Sequence, residues 1–260
     1  MVTSASPTSP TSSRPPTSKR SRLVLISLLV VGALVVALGA GELYARHTVK
    51  NCMAGQFESE LGTQVDVGLS AKPVLLQMID KNAPYVTIDS DDSSFGPAKD
   101  MKVHAKADDV KIDQTDQSSG SIGSSSADID WSDQGILSTV QEQSFGGLVS
   151  GVTSSAADGT LSFDVGPAGL AKLTVRPQVQ GNTVNLETVG AQILGLGLPT
   201  DLVDGIVKTI GDSLQTYPLG MAPKSLSISD TGLKMSLAGG AYTMPAQQRS
   251  GDVKGCGVLG

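Results

Sequence analysis

Apolar and polar positions follow three rhythms along this chain. The first is an unbroken run, Leu23 to Gly41, in which nineteen residues carry no charge. As a helix it would measure about 28 Å at ~1.5 Å per residue, close to the hydrocarbon thickness of a bilayer. This predicts a transmembrane segment over 23–45. The second rhythm is period two, the mark of half-buried strands. It predicts strands over 63–69 (Val65, Val67 and Leu69 on one face), 84–89, 101–113, 127–131, 160–165, 170–179, 183–189, 226–228 and 233–237. The third is helical spacing, over 71–81, 133–149 and 201–216. Ser132 is the expected N-cap of the second helix, and Gly146-Gly147 a weak point or early stop within it. The Ser- and Gly-rich stretch 118–127 reads as a flexible loop or a polar edge strand. Gly181-Asn182 and Asp230-Thr231-Gly232 supply hairpin turns. Strands at hairpin spacing, interrupted by three helices, predict an antiparallel α+β architecture.

Charge divides the chain. Lys and Arg number 19 against 25 Asp and Glu, for a net charge of −6. Residues 1–41 hold Arg14, Lys19, Arg20 and Arg22 and no acid, so the remainder carries 15 bases against 25 acids, or −10. A domain that acidic has no general basic field for nucleic acid. Residues 1–22 contain 15 Ser, Thr or Pro and read as a disordered tail. Lys19, Arg20 and Arg22 precede the apolar run, which predicts a cytoplasmic N-terminus and an extracytoplasmic domain over 46–260. Small residues at Ala37, Gly39, Ala40 and Gly41 suit a signal peptidase, but the run exceeds the ~7–15 residues of a cleaved signal core. We read it as an uncleaved signal anchor. Cys52 and Cys256 bracket the exported domain. In an oxidising compartment such a pair is expected to form a disulfide. It would close a loop of roughly 200 residues, for which chain entropy assigns about 5 kcal/mol.

The search for chemistry is mostly negative. Gly211-Asp212-Ser213-Leu214 spells the nucleophile block of one esterase family, yet a serine nucleophile needs a histidine base. The chain has two histidines, His47 and His104, and both lie upstream. Leu214 also completes the apolar stripe of the 201–216 helix. Asp89-Ser90-Asp91-Asp92-Ser93 resembles part of a calcium loop but continues with Ser94 and Asp100 where Gly and Glu belong. A solvated acidic turn is the better reading. Scattered aspartates could hide a glycosidase pair, but Trp131 is the single tryptophan available as a sugar platform. No metal site, cofactor or catalytic set is predicted.

What remains is aliphatic surface. The three soluble helices present Leu75, Met78 and Ile79; Ile136, Leu137 and Val140; and Val203, Ile206, Ile210 and Leu214. These faces either pack a core or enclose an apolar groove for acyl or prenyl chains, since ligand pockets are mostly apolar and Met conforms to flexible chains. Composition alone supports both.

The stretch Cys52, Thr63-Gln64-Val65-Asp66-Val67 and Pro73-Val74-Leu75-Leu76-Gln77-Met78 resembles the start of the LmeA-like family of actinobacterial envelope proteins. The order of the later elements, to the Asp230-Thr231-Gly232-Leu233 hairpin, is similar over about 50–256. The resemblance implies a curved or rolled sheet with helices packed on it, similar to tubular lipid-binding folds. It also implies a phospholipid or polyprenyl-type lipid as partner, a supporting role in cell-envelope lipid or glycolipid metabolism, and no catalytic motif. The expectation is a membrane-anchored, non-enzymatic lipid-binding domain. The alternative is an anchored scaffold that binds an envelope protein or polymer through its acidic face.

Overall fold

The computed structural model describes residues 19–61, 64–95, 98–113, 115–193, 199–215 and 217–246. The chain forms two compact units, one ending at Tyr44 and one beginning at Ala45. Helix α1, Lys19–Leu61, begins in the first and ends in the second. Its 43 residues make about 65 Å of helix, roughly twice the hydrocarbon thickness. Within it, Ile26–Gly55 is long and apolar enough to cross a membrane, at a mean hydropathy of 2.2.

The second unit is α+β. Its elements after α1 are β1 (Asp66–Leu69), α2 (Val74–Asp80), β2 (Asn82–Phe95), β3 (Ala98–Lys111), β4 (Ser118–Ile122) and β5 (Ser124–Ser132). Then come α3 (Asp133–Gln141), β6 (Val149–Ser155), β7 (Thr160–Val165), β8 (Ala171–Gln180) and β9 (Thr183–Ile193). Last are α4 (Thr200–Leu214), β10 (Ala222–Ser229), β11 (Gly232–Gly239) and β12 (Tyr242–Pro245). The strands build two antiparallel sheets, neither closed into a tube. The larger runs β1-β2-β3-β5-β11-β10, with β4 between β3 and β12 off that path. The smaller is the meander β6-β7-β8-β9.

Period two does what it predicts. Along β3, Met101 and Val103 point inward while Lys102 and His104 point out. Along β8, Ala171, Leu173 and Val175 are buried in turn. These inward rows, with Trp131, Leu233, Met235 and Leu237 from the larger sheet and Leu161, Phe163 and Val165 from the smaller, form one apolar core with α3 and α4. Helix α4 contributes Ile206, Ile210 and Leu214, spaced i, i+4 and i+8 and fully buried. Each such burial stabilises by about 1.5–3 kcal/mol.

One interlock fixes α3 against the larger sheet. The Trp131 indole Nε1 donates to the Lys99 carbonyl at 2.9 Å. The Lys99 N–H donates to Thr139 Oγ1 at 2.8 Å, and that hydroxyl donates to the Gly135 carbonyl at 2.8 Å. Ser132 caps α3 as expected, accepting from the Gly135 N–H at 3.0 Å. Asp133 ties the same end to β6, its Oδ2 accepting from the Ser154 N–H and hydroxyl at 3.2 and 3.0 Å.

Several expectations are corrected. The helix expected over 133–149 stops at Gln141. A Cβ on Gly146 would stand 2.4 Å from the Gln141 Cα, so the chain folds back tightly there. Val149 and Val152 then pair with Val165 and Phe163, so the meander has four strands rather than three. Sheet pairing outweighs helix continuation at this point. The acidic stretch from Asp89 is not a turn: it lies within β2, where Ser90 and Ser93 pair with Val103 and Met101 across a bulge. The 118–127 stretch resolves into β4, which lies between β3 and β12, and the start of β5. Strand β12, which pairs with β4, was not expected.

Replacing Thr139 by Val removes the acceptor for the Lys99 N–H at nearly unchanged volume. We expect a loss of about 1–3 kcal/mol, the usual penalty for an orphaned buried donor. Trp131 emission during urea unfolding reads it, and an unchanged midpoint would contradict the interlock.

Candidate functional site

Three surfaces of the second unit are candidates. The first is an aliphatic seam along α3 and α4. Ile136 and Val140 of α3 and Ile206, Ile210 and Leu214 of α4 are buried in the shared core. Leu137 and Val203 sit half-buried on its margin, beside Leu202 and Val207. The apolar stripe of α4 is therefore wider than the row that the core consumes. The Phe145 ring seats in the notch left by Gly205, where an added Cβ would lie 2.8 Å from its Cε1. Leu186 of β9 flanks the core from the other side. So seven of the ten residues named from helix faces come together here.

One polar group interrupts this apolar region. The Tyr217 hydroxyl, just past α4, is buried, and the Val184 backbone is the polar group that faces it. Desolvation pushes its phenol above the usual 10.0. The Val184 carbonyl receives Gln215 Nε2 at 3.3 Å. Neither Phe145 nor Tyr217 was singled out from sequence. The available signal was scarcity, since the chain has four Phe and four Tyr, and each aromatic therefore flags a packing point.

The second surface is a trough of about 370 Å³ on the outward face of the larger sheet. Register aligns Asp89, His104, Asp128, Ser236 and Ser225 in one row across five strands. Lys102, Asp130 and Lys234 form the next row. Two charged pairs bridge this face. Lys234 Nζ reaches Asp130 Oδ2 at 2.5 Å, and His104 Nδ1 pairs with Asp89 Oδ1. Ser225 and Ser236 share a hydrogen bond at 2.6 Å. Such cross-strand pairs hold a sheet together.

The third surface is α2. Leu75 is half-buried, Met78 and Ile79 are exposed, and none of the three belongs to the core shared by α3 and α4.

The esterase-like tetrapeptide is ordinary helix. Ser213 Oγ donates to the Thr209 carbonyl at 2.9 Å, Asp212 pairs with Lys208 at 2.5 Å, and Leu214 is buried. Among the described residues, no group of three or more His, Cys, Asp or Glu side chains is placed to hold a metal. Cys256 lies outside the described residues.

The chain belongs to the LmeA-like phospholipid-binding family, whose profile matches residues 36–238, from within α1 to β11. It is also similar to uncharacterized proteins of Mycobacterium tuberculosis and Mycobacterium bovis, each 30% identical over 227 residues. That match covers 84% of this chain and 64% of the relatives' length. No solved structure matches the chain.

The buried phenol gives a pH signature. The folded state favours neutral Tyr217, whereas the unfolded chain ionises it near 10.0. Its contribution to stability is therefore complete below that pH and is lost as pH rises through the elevated folded value. The Tyr217→Phe variant should lose less stability than the parent above pH 10.0. Urea midpoints against pH read this, and parallel alkaline losses in the two proteins would contradict it.

Proposed function

We propose that this chain is a membrane-anchored, extracytoplasmic, non-enzymatic protein that binds a phospholipid or polyprenyl-type lipid in support of cell-envelope lipid or glycolipid metabolism. Residues 1–22 form a cytoplasmic tail, 23–45 the anchor and 46–260 the binding domain. The observation that carries the reading is the α3–α4 seam. Leu137, Leu202, Val203 and Val207 leave a half-buried aliphatic margin against a filled core. Family membership supplies the ligand class.

In this reading Leu137 and Val203 meet the acyl chain directly. Ile136, Val140, Ile206, Ile210 and Leu214 form the wall behind it, and Leu75, Met78 and Ile79 lie on the approach. The scaffold alternative is less well supported, because Asp89 and Asp130 of the trough already pair within it.

Photocrosslinking tests this directly. Full-length protein in vesicles holding a phospholipid with a diazirine on its acyl chain should give labelled peptides from 133–141 and 200–214 as well as from the anchor. Labelling confined to residues 23–45 would contradict the seam as the site. Cys52 and Cys256 are proposed to be disulfide-linked, which requires an intact mass two hydrogens below that of the reduced chain; the fully reduced mass in protein taken from the envelope would rule the link out.

A further inference from the structure

Helix α2 inverts the usual rule for a surface helix, which turns its apolar side to the core. Val74 is buried, but Leu76, Met78 and Ile79 are 52%, 42% and 82% exposed. Polar contacts hold the helix in place instead. Arg46 Nη2 donates to the carbonyls of Ser70 at 3.0 Å and Lys72 at 3.2 Å, on the segment that leads into α2. Lys72 Nζ reaches forward to Asp80 Oδ2 at 2.5 Å and the Asn82 carbonyl at 2.9 Å. Gln77 Nε2 reaches back to the Lys72 carbonyl at 2.6 Å. A seven-residue helix is thus stapled at both ends and at its middle, with its aliphatic side chains facing out. Ile112, 51% exposed, joins them, its N–H donating to the Lys81 carbonyl at 2.9 Å.

The chain itself says what covers this patch. Arg46, which clamps the start of α2, stands five residues beyond Gly41, where the charge-free run ends. Five residues reach at most about 18 Å even when fully extended. The patch is therefore tethered near the membrane surface by any anchor that ends at Gly41. Of the lysines here, Lys72 pairs with Asp80 and Lys111 lies 3.6 Å from Asp109, while Lys81 at the end of α2 is exposed and adds one cation to an otherwise apolar patch. We propose that α2, together with Ile112, is a membrane-docking element. On this view Leu76, Met78, Ile79 and Ile112 enter the boundary between headgroups and acyl chains, as the apolar face of an interfacial helix does. The inference rests on the reading of residues 23–45 as a bilayer anchor. It sets the β1–β2 edge of the larger sheet against the bilayer from which lipid is taken.

Tryptophan is a clean reporter, because the single native one, Trp131, is 0% exposed. Full-length Ile79→Trp and Ile112→Trp variants are placed in phosphatidylcholine vesicles with and without brominated acyl chains. Leu170→Trp, at a site 54% exposed before the third strand of the smaller sheet, is the control. Both α2-side variants should show blue-shifted emission and lose about half or more of their added signal to bromine, with little change in high salt. The control and the parent should not be quenched. Water-like, unquenched emission from both variants in protein that still floats with vesicles overturns the docking element and leaves the anchor standing. A blue shift without quenching overturns it too, and assigns the patch to a second copy of the chain. Protein that fails to float overturns the anchor and with it the docking element.

Discussion

The Trp131 indole and the Lys99 carbonyl set where everything else goes. Their hydrogen bond, with the return bond from the Lys99 N–H to Thr139, presses the first turns of α3 onto the start of β3. There is no spare room at that junction, since a Cβ on Gly135 would lie 2.6 Å from the same Lys99 carbonyl. With α3 fixed, β6 follows through Asp133 and brings the smaller sheet over the inward row of the larger one. The core then closes between them, and α4 lays its buried row along the remaining gap. The half-buried margin of the seam is a consequence of that packing. It exists because α4 carries more aliphatic surface than two sheets and one short helix can cover.

The parts of the fold that depend on local chemistry were legible. The N-cap at Ser132, the turns at Gly181 and Asp230-Thr231-Gly232, and the alternation along β7, β8 and β11 all follow from residue type and spacing. The turn before β11 is strict, because a Cβ on Gly232 would stand 2.3 Å from the Trp131 carbonyl. What escaped reading depends on distant partners. Apolar residues continue past Gln141, but the choice between helix and strand is made by β7, which supplies the ladder for Val149 and Val152. The β4–β12 pair joins segments more than a hundred residues apart and has no local signature.

The candidate site divides in the same way. The stripe of α4 was readable because i, i+4 and i+8 burial is a property of the helix alone. The orientation of α2 was not. Its spacing fits an inward face through Val74, Leu75, Met78 and Ile79, yet Val74 is the buried residue of that helix. Arg46, Lys72 and Gln77 decide the matter by bonding backbone carbonyls, and no hydropathy pattern encodes such contacts. The two surfaces propose complementary tasks, α2 holding the domain at the bilayer and the α3–α4 seam holding the acyl chain.

The most direct measurement is native mass spectrometry of residues 46–260, released from the anchor and purified gently from the native envelope. The account predicts a mass excess that fragments as a phospholipid or polyprenyl-type lipid and persists without the apolar span. A bare protein mass, unchanged after incubation with phospholipid vesicles, would contradict it.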